Sequence, residues 1–151
     1  MSDQEVLEAI GILEGLFAGA GLDARPEARG RQGGFLDVEL VGEDAAAMFG
    51  HHGKALDSMQ FLCNLVLARQ APGALRILLD AGGYRARRIE QLTALAQELA
   101  DEVKARQEEC EVEPLPPHER RIIHKVLSED PAIRTYSEGE EPDRRVVIAP
   151  A

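Results

Sequence analysis

Two short clusters in this 151-residue chain bring together groups suited to gripping an anion. In the first, Arg120 and His124 stand four residues apart and so share a face on a helix, with Arg121 and Lys125 adjoining. Planar guanidinium groups donate in a fork that matches phosphate oxygens, which suits such a face to a sugar-phosphate backbone. The same spacing, taken alone, is also that of an ordinary solvated helix face. The second cluster is Gly50-His51-His52-Gly53, followed directly by Lys54. Two glycines let a backbone turn tightly and come close to a phosphate, and the amides opening a following helix favour an anion. His51 and His52, with a reference pKa of about 6.5, are mostly neutral at pH 7. They read either as solvent-exposed spacers between useful glycines or as phosphate contacts that strengthen on acidification. A metal site at this loop lacks a third ligand at a workable spacing.

Other reactive groups point away from catalysis. Glu138, Glu140 and Glu141 lie in a glycine- and proline-containing turn with no nucleophile or metal pattern beside them, so they do not form an acid–base pair. Cys63 and Cys110 are far apart and match no zinc spacing; they read as reduced thiols, Cys63 packed inside an apolar run. Tyr84 offers a ring that could stack on a base but more readily packs, and with 4% aromatic residues no stacking platform dominates. Neither cofactor nor metal is called for, and the chain reads as non-enzymatic.

The elements that hold these clusters follow from periodicity. Val6, Ile10, Leu13, Leu16 and Phe17 recur at helical spacing over 5–17, and Gly19 and Gly21 stop that helix. Residues 22–34 mix charge, Pro26 and glycines, consistent with a short edge strand and a loop. Phe35, Leu36, Val38 and Leu40 alternate with acids as a half-buried strand. Asp44 is placed to cap a short helix over 45–48, and a second helix runs from Lys54 to about Gln70, with Leu56, Met59, Leu62, Cys63 and Val66 on its buried stripe. Leu75, Ile77 and Leu79 make a further strand. A long helix from Tyr84 to about Cys110 carries Ile89, Leu92, Leu95, Ala96, Leu99 and Val103. Pro114, Pro116 and Pro117 break it from a helix over 118–127, and two terminal strands follow, around Ile133–Thr135 and Val146–Ile148.

The resulting class is α/β (α+β), with helix, strand, strand, helix, helix, strand in the first part. A chain of this length holds one compact domain or two very small ones. Its formal net charge is −10, with 6 basic against 12 acidic side chains in residues 1–83 and 11 against 15 in residues 84–151. That excludes a whole-molecule basic footprint, so any nucleic-acid surface has to be local. The acidic start and the lack of about 20 consecutive apolar residues predict a protein that is neither exported nor membrane-inserted, and so cytoplasmic.

The run GHHGKALDSMQFLCNLVLAR resembles the KH module of the Jag (KhpB, SpoIIIJ-associated) family, whose Leu-Asp-x-x-Gln-x-Leu pattern is matched by Leu56, Asp57, Gln60 and Leu62. The family loop is at least partly basic where this chain has His51 and His52. The segments ERRIIHKVL and TYSEGEEPDRRVVIAP are similar to the Arg-three-His domain that ends Jag proteins, and the likeness runs from Tyr84 to Pro150. The resemblance implies a type II KH-like module over 1–82 and an Arg-three-His module over 83–151, joined through the helix over 84–110. It implies that Gly50, His51, His52, Gly53 and Lys54 clamp one stretch of backbone, with an apolar groove beside them taking unpaired bases. Arg120 and His124 would face phosphates, widened by Arg121, Lys125 and Arg145, while Thr135, Ser137 and Gly139 match the family's turn. The implied ligand is single-stranded RNA, or single-stranded DNA, and the implied role that of an RNA chaperone or regulator of cell-envelope growth. A small KH-only protein or a second copy is the implied protein partner. Residues before the first helix are too few for the separate N-terminal domain that Jag proteins often carry. The competing expectation is a protein-interaction or dimerisation module whose loop has lost RNA binding.

Overall fold

The computed structural model describes residues 2–71, 73 and 75–151, and at 51 and 52 the backbone only. The chain divides into two compact units, Met1–Arg85 and Ala86–Ala151.

The first unit opens with helix α1, Asp3–Gly19, started by Ser2, whose hydroxyl accepts from the Glu5 amide while the Glu5 carboxylate accepts from the Ser2 amide. Ala9, Leu13 and Phe17 recur at i, i+4 and i+8, and all three are buried. Residues 25–32 form a full strand, β1 (Arg25–Gln32), where the sequence suggests a short strand and a loop. The position explains the difference. β1 is an edge strand that buries only Pro26, so its polar, proline-containing composition costs little there. It pairs antiparallel with β2, Phe35–Val41, whose Leu36, Val38 and Leu40 alternate into the core. β3, Arg76–Asp80, lies parallel to β2 on its other side.

Between β2 and the next long helix lies a short 3-10 helix, Glu43–Phe49, and here the cap differs from expectation. Gly42 occupies the N-cap with no side-chain bond, and the Asp44 carboxylate instead accepts from the Asp23 amide at 2.6 Å. Gly42 is obligatory: at φ +140, a Cβ there would meet the Asp23 carbonyl oxygen at 2.3 Å.

Helix α2, Gly50–Gln70, begins four residues before Lys54 and so takes the glycine loop into its first turn. Its buried line is Leu56, Cys63 and Leu67, with Met59 and Val66 half-buried; Leu62, expected inside, is 49% exposed because it lies about 100° around the helix from Cys63. Burial pushes the Cys63 thiol up to about 11, which makes it inert packing.

The free edge of β3 is closed by side chains. The Asn64 carboxamide accepts from the Ile77 amide at 2.8 Å and donates to the Ile77 carbonyl at 3.1 Å. Gln60 Oε1 accepts from the Leu79 amide at 2.9 Å, and Arg85 Nε donates to the Leu79 carbonyl at 2.7 Å. Arg85 also donates to Gln60 and pairs with Asp57 at 2.9 Å. The Leu56-Asp57-x-x-Gln60 pattern is thereby accounted for physically: one core residue and two anchors for β3.

α3 (Tyr84–Arg106), which belongs to the second unit from Ala86 onward, stops short of Cys110 because Gln107 turns left-handed at φ +57. Cys110–Glu111 form β4, a two-residue strand too short to leave a periodic signal. α4, Pro117–Leu127, starts on a proline whose missing N–H is no loss in a first turn. β5 (Ile133–Glu138) and β6 (Arg145–Pro150) complete an antiparallel sheet in the order β4-β6-β5. Leu92, Ala96, Val103, Ile123, Leu127, Val146 and Ile148 fill the core, while Ile89, expected on the buried stripe of α3, is half-exposed.

A buried ion pair ties α3 to α4. Glu119 is 1% exposed, and Arg88 meets its carboxylate as a fork, with Nε to Oε2 at 2.8 Å and Nη2 to Oε1 at 2.9 Å. Glu119→Ala takes two charge-assisted bonds from a guanidinium that is only 14% exposed, and is expected to destabilise the second unit by about 3–5 kcal/mol. Urea unfolding followed by circular dichroism measures this, with an unchanged midpoint as the contrary result.

Candidate nucleic-acid interface

α4 presents its charged residues in two rows, and the rows differ in kind. Arg120 is 7% exposed. Its Nη1 donates to the Leu115 carbonyl at 2.7 Å and its Nη2 pairs with Glu141 Oε1 at 2.6 Å. This guanidinium closes the approach to α4 and anchors the turn that carries Glu141. His124 is half-buried between α4 and β5, with Nδ1 2.7 Å from Thr135 Oγ1 and Nε2 2.8 Å from Ser137 Oγ. Hydroxyls donate or accept as needed, so either neutral tautomer is satisfied. Burial, and then the nearby Arg120 charge, hold its pKa below the ordinary histidine value, so it stands neutral at pH 7. In the adjoining row Arg121 and Lys125 are exposed, one helical turn apart, and neither has an ion pair among the described residues.

β5 explains which of its residues meet the helix. Ile133, Thr135 and Ser137 point toward α4 and the core, whereas Arg134, Tyr136 and Glu138 point away. Arg145 is paired in register with Glu138 and bonds Glu111 at 3.4 Å, so it lies on the sheet face opposite His124. Arg145 and the α4 row are therefore not brought together. Arg144 serves the turn instead: its Nη1 donates to the Gly139 carbonyl at 2.7 Å, and its charge adds to that of Arg120 in holding the Glu141 carboxyl below its usual value. Gly139, at φ +92, permits that turn.

Sequence reasoning did not find the roles of Glu119, Arg88, Glu141 or Arg144. A glutamate in a first helical turn ordinarily reads as a solvated acid favoured by the helix dipole, and nothing local distinguishes Glu119 from that case.

In the first unit, the backbone around Gly50–Lys54 opens α2 with no acidic residue in the first turn and no side-chain cap. The side chains of His51 and His52 lie outside the described residues. Lys54 is exposed and has no ion pair among them. Only one of the two glycines is sterically required. Gly53 has φ +80, and a Cβ there would come within 2.6 Å of the Tyr84 ring; Gly50 has φ −64 and open space around it. Tyr84 stacks on Phe49 with centroids 5.4 Å apart, so the ring considered for base stacking packs against the loop.

Residues 90–150 match the family model of the Arg-three-His domain. The second unit is thus an Arg-three-His domain, and α4 and the hydroxyls facing it lie within the matched residues. The chain is also 41% identical over 114 residues to RNA-binding protein KhpB of Clostridium symbiosum, across 76% of this chain and 51% of that protein. It is 38% identical over 112 residues to RNA-binding protein KhpB of Bacillus subtilis (strain 168), across 73% of this chain and 54% of that one. The chain spans about half the length of these curated relatives. An alignment of 114 residues is longer than the second unit, so the likeness extends into the first. Among the described residues no cluster could hold a metal ion, and no helix is long and apolar enough to cross a membrane.

The depressed pKa of His124 has a definite sign for stability. The neutral form is favoured in the folded state, so the contribution is complete above the unfolded value of about 6.5 and is lost as pH falls through the lowered folded-state value. The thermal midpoint is expected to drop between pH 7.5 and 5.5, and to drop less in His124→Gln. Equal slopes for the two proteins are the contrary result.

Proposed function

We propose that this chain is a non-catalytic protein of the KhpB kind that binds single-stranded RNA, with a KH-like module over 1–82 and the Arg-three-His module over 83–151. The observation that carries the reading is a likeness to proteins named RNA-binding protein KhpB that is too long to be confined to the Arg-three-His domain. Two local features support it. The first unit has the helix, strand, strand, helix, helix, strand order with a glycine-bounded first turn and an exposed Lys54 at the start of α2. The Arg-three-His unit offers Arg121 and Lys125 as exposed cations beside neutral, hydroxyl-lined His124.

In this mechanism the backbone amides near Gly50–Gly53, together with Lys54, His51 and His52, hold one phosphate stretch. Arg121 and Lys125 hold another. Arg120 contributes its charge from beneath the surface, opposed by Glu141, and Arg145 acts from the far side of the sheet. Two weak contacts on one chain raise each other's effective concentration, which suits an acidic molecule. A cytoplasmic setting and an RNA chaperone role belong to the same reading, with single-stranded DNA and a small KH-only protein or second copy as further partners.

Fluorescence anisotropy with labelled single-stranded RNA at two salt concentrations tests it, because phosphate contacts make affinity fall as salt rises. Arg121→Ala and Lys125→Ala are each expected to weaken binding and to reduce the log–log salt slope by roughly 0.7 per lost phosphate contact. Glu141→Gln, which removes a carboxylate beside the site but keeps a hydrogen-bond acceptor for Arg120, is expected to tighten it.

Replacing His51 and His52 together by Asp is expected to weaken binding without unfolding; unchanged affinity removes the loop from the interface. Absence of saturable binding at low salt favours the interaction-module reading, for which the exposed Phe61, Leu62 and Leu65 on α2 are the supporting observation.

A further inference from the structure

His124 is a histidine held without an anion. Its ring nitrogens meet two neutral hydroxyls, Nδ1 at 2.7 Å from Thr135 Oγ1 and Nε2 at 2.8 Å from Ser137 Oγ, and among the described residues no carboxylate is bonded to the ring. A neutral imidazole has one N–H and one lone pair, so one hydroxyl accepts from the ring while the other spends its own proton on it. Only one O–H of the pair is then left to point elsewhere. All three residues are half-buried, which leaves this cluster within reach of solvent.

The charged groups around the ring act in one direction. On α4, Arg120 lies one turn earlier, bonded to the Leu115 carbonyl and Glu141, and Arg121 and Lys125 form the exposed row. In the turn over 139–144 the acids are Glu140, Glu141 and Asp143, of which Glu141 is taken by Arg120, and Arg144 donates to the carbonyls of Gly139 and Ser137. Charges on the other packed elements face away or are matched. Arg134 and Glu138 point to the far side of β5, Arg145 of β6 bonds Glu111 of β4, and on α3 Arg88 is taken by Glu119 and Lys104 by Asp130. Burial and Arg120 both oppose a second proton on the ring of the free protein.

We propose that a backbone phosphate and a proton are taken up together on this face: the proton settles on the His124 nitrogen that carried none, and the hydroxyl that had donated to that nitrogen turns its own proton outward to the phosphate. Once both nitrogens carry a proton, Thr135 and Ser137 both accept from the ring and each keeps an O–H to donate. The ring becomes a cation in the same step, and the phosphate supplies the anion that the cluster lacks. Resting on the RNA-binding reading above, this adds to it a response to acidity. The sign follows from the neutral ring of the free protein. A bound phosphate raises the pKa of His124, so affinity rises as pH falls through the bound-state value. The rise is at most about tenfold per pH unit for one proton, and it levels off once the free protein is itself protonated, below 6.5. Stability of the free protein moves the opposite way through the same residue, and bound RNA offsets that loss.

The chain has 4 histidines, few enough to follow one by one. With the full chain and an oligouridine strand, whose bases and phosphodiesters do not titrate between pH 5.5 and 7.5, the NMR titration midpoint of the His124 ring is expected to move upward when the RNA is added. Saturable RNA binding with an unmoved midpoint overturns the proton proposal and leaves the RNA-binding reading intact. Absence of saturable binding at low salt overturns both. Anisotropy gives a second readout, taken in a His51→Gln, His52→Gln background so that the loop histidines do not contribute. There, affinity is expected to rise from pH 7.5 to 5.5, and adding His124→Gln is expected to flatten the profile; a profile equally steep without His124 overturns the proposal. Ser137→Ala tests the hydroxyls. It is expected to weaken binding at pH 5.5 and to change it little at pH 7.5, where the neutral ring leaves one O–H free with or without Ser137. An equal loss at both values overturns the outward turn of the hydroxyl.

Discussion

Without its neighbours, the outer edge of β3 would present the amides and carbonyls of Ile77 and Leu79 as an unpaired ladder, open to any passing strand. Asn64, Gln60 and Arg85 take those groups, and Asp57 holds Arg85 in turn. This polar seam constrains the first unit more tightly than apolar packing alone. Burial of Leu56, Cys63 and Leu67 is tolerant of small rotations of α2, whereas a two-pronged carboxamide on a peptide group is not. Everything α2 carries is positioned by it: the glycine turn and Lys54 at one end, and the exposed Phe61, Leu62 and Leu65 farther along.

The Arg-three-His unit uses the opposite strategy at its site. The guanidinium of Arg120 is drawn inward to a backbone carbonyl and a carboxylate, and the histidine is held neutral between two hydroxyls. The residues that identify the class by sequence are thus largely those that build the surface, while the exposed cations of α4, Arg121 and Lys125, are their immediate neighbours. The groups that fix α4 against β5 are thus distinct from the exposed cations of the same helix.

Net charge and local charge are separate quantities here. Two acidic residues beside the α4 row are already engaged, Glu119 by Arg88 and Glu141 by Arg120. Their formal charges count toward −10 but are largely neutralised at close range, and at physiological ionic strength charges beyond about 8 Å are screened. An acidic chain can therefore keep small surfaces that attract an anion.

Period alone determined most of the elements. Leu36, Val38 and Leu40 could only be a strand with one wet face, and Leu92, Ala96 and Val103 only a helix with one buried stripe, because each pattern satisfies one backbone geometry and frustrates the other. Arg120, Arg121, His124 and Lys125 could likewise be put on one helix from spacing. Three things needed the tertiary structure: that Asp44 serves Asp23 rather than its own helix, that β4 exists, and that Arg120 and Glu119 are buried while Leu62 and Phe61 are not. Local sequence states which side chains share a face, but burial and hydrogen-bond partners depend on what the fold brings opposite that face, often tens of residues away. Glu119 and Arg88 are 31 positions apart and meet only because α3 and α4 pack on one sheet.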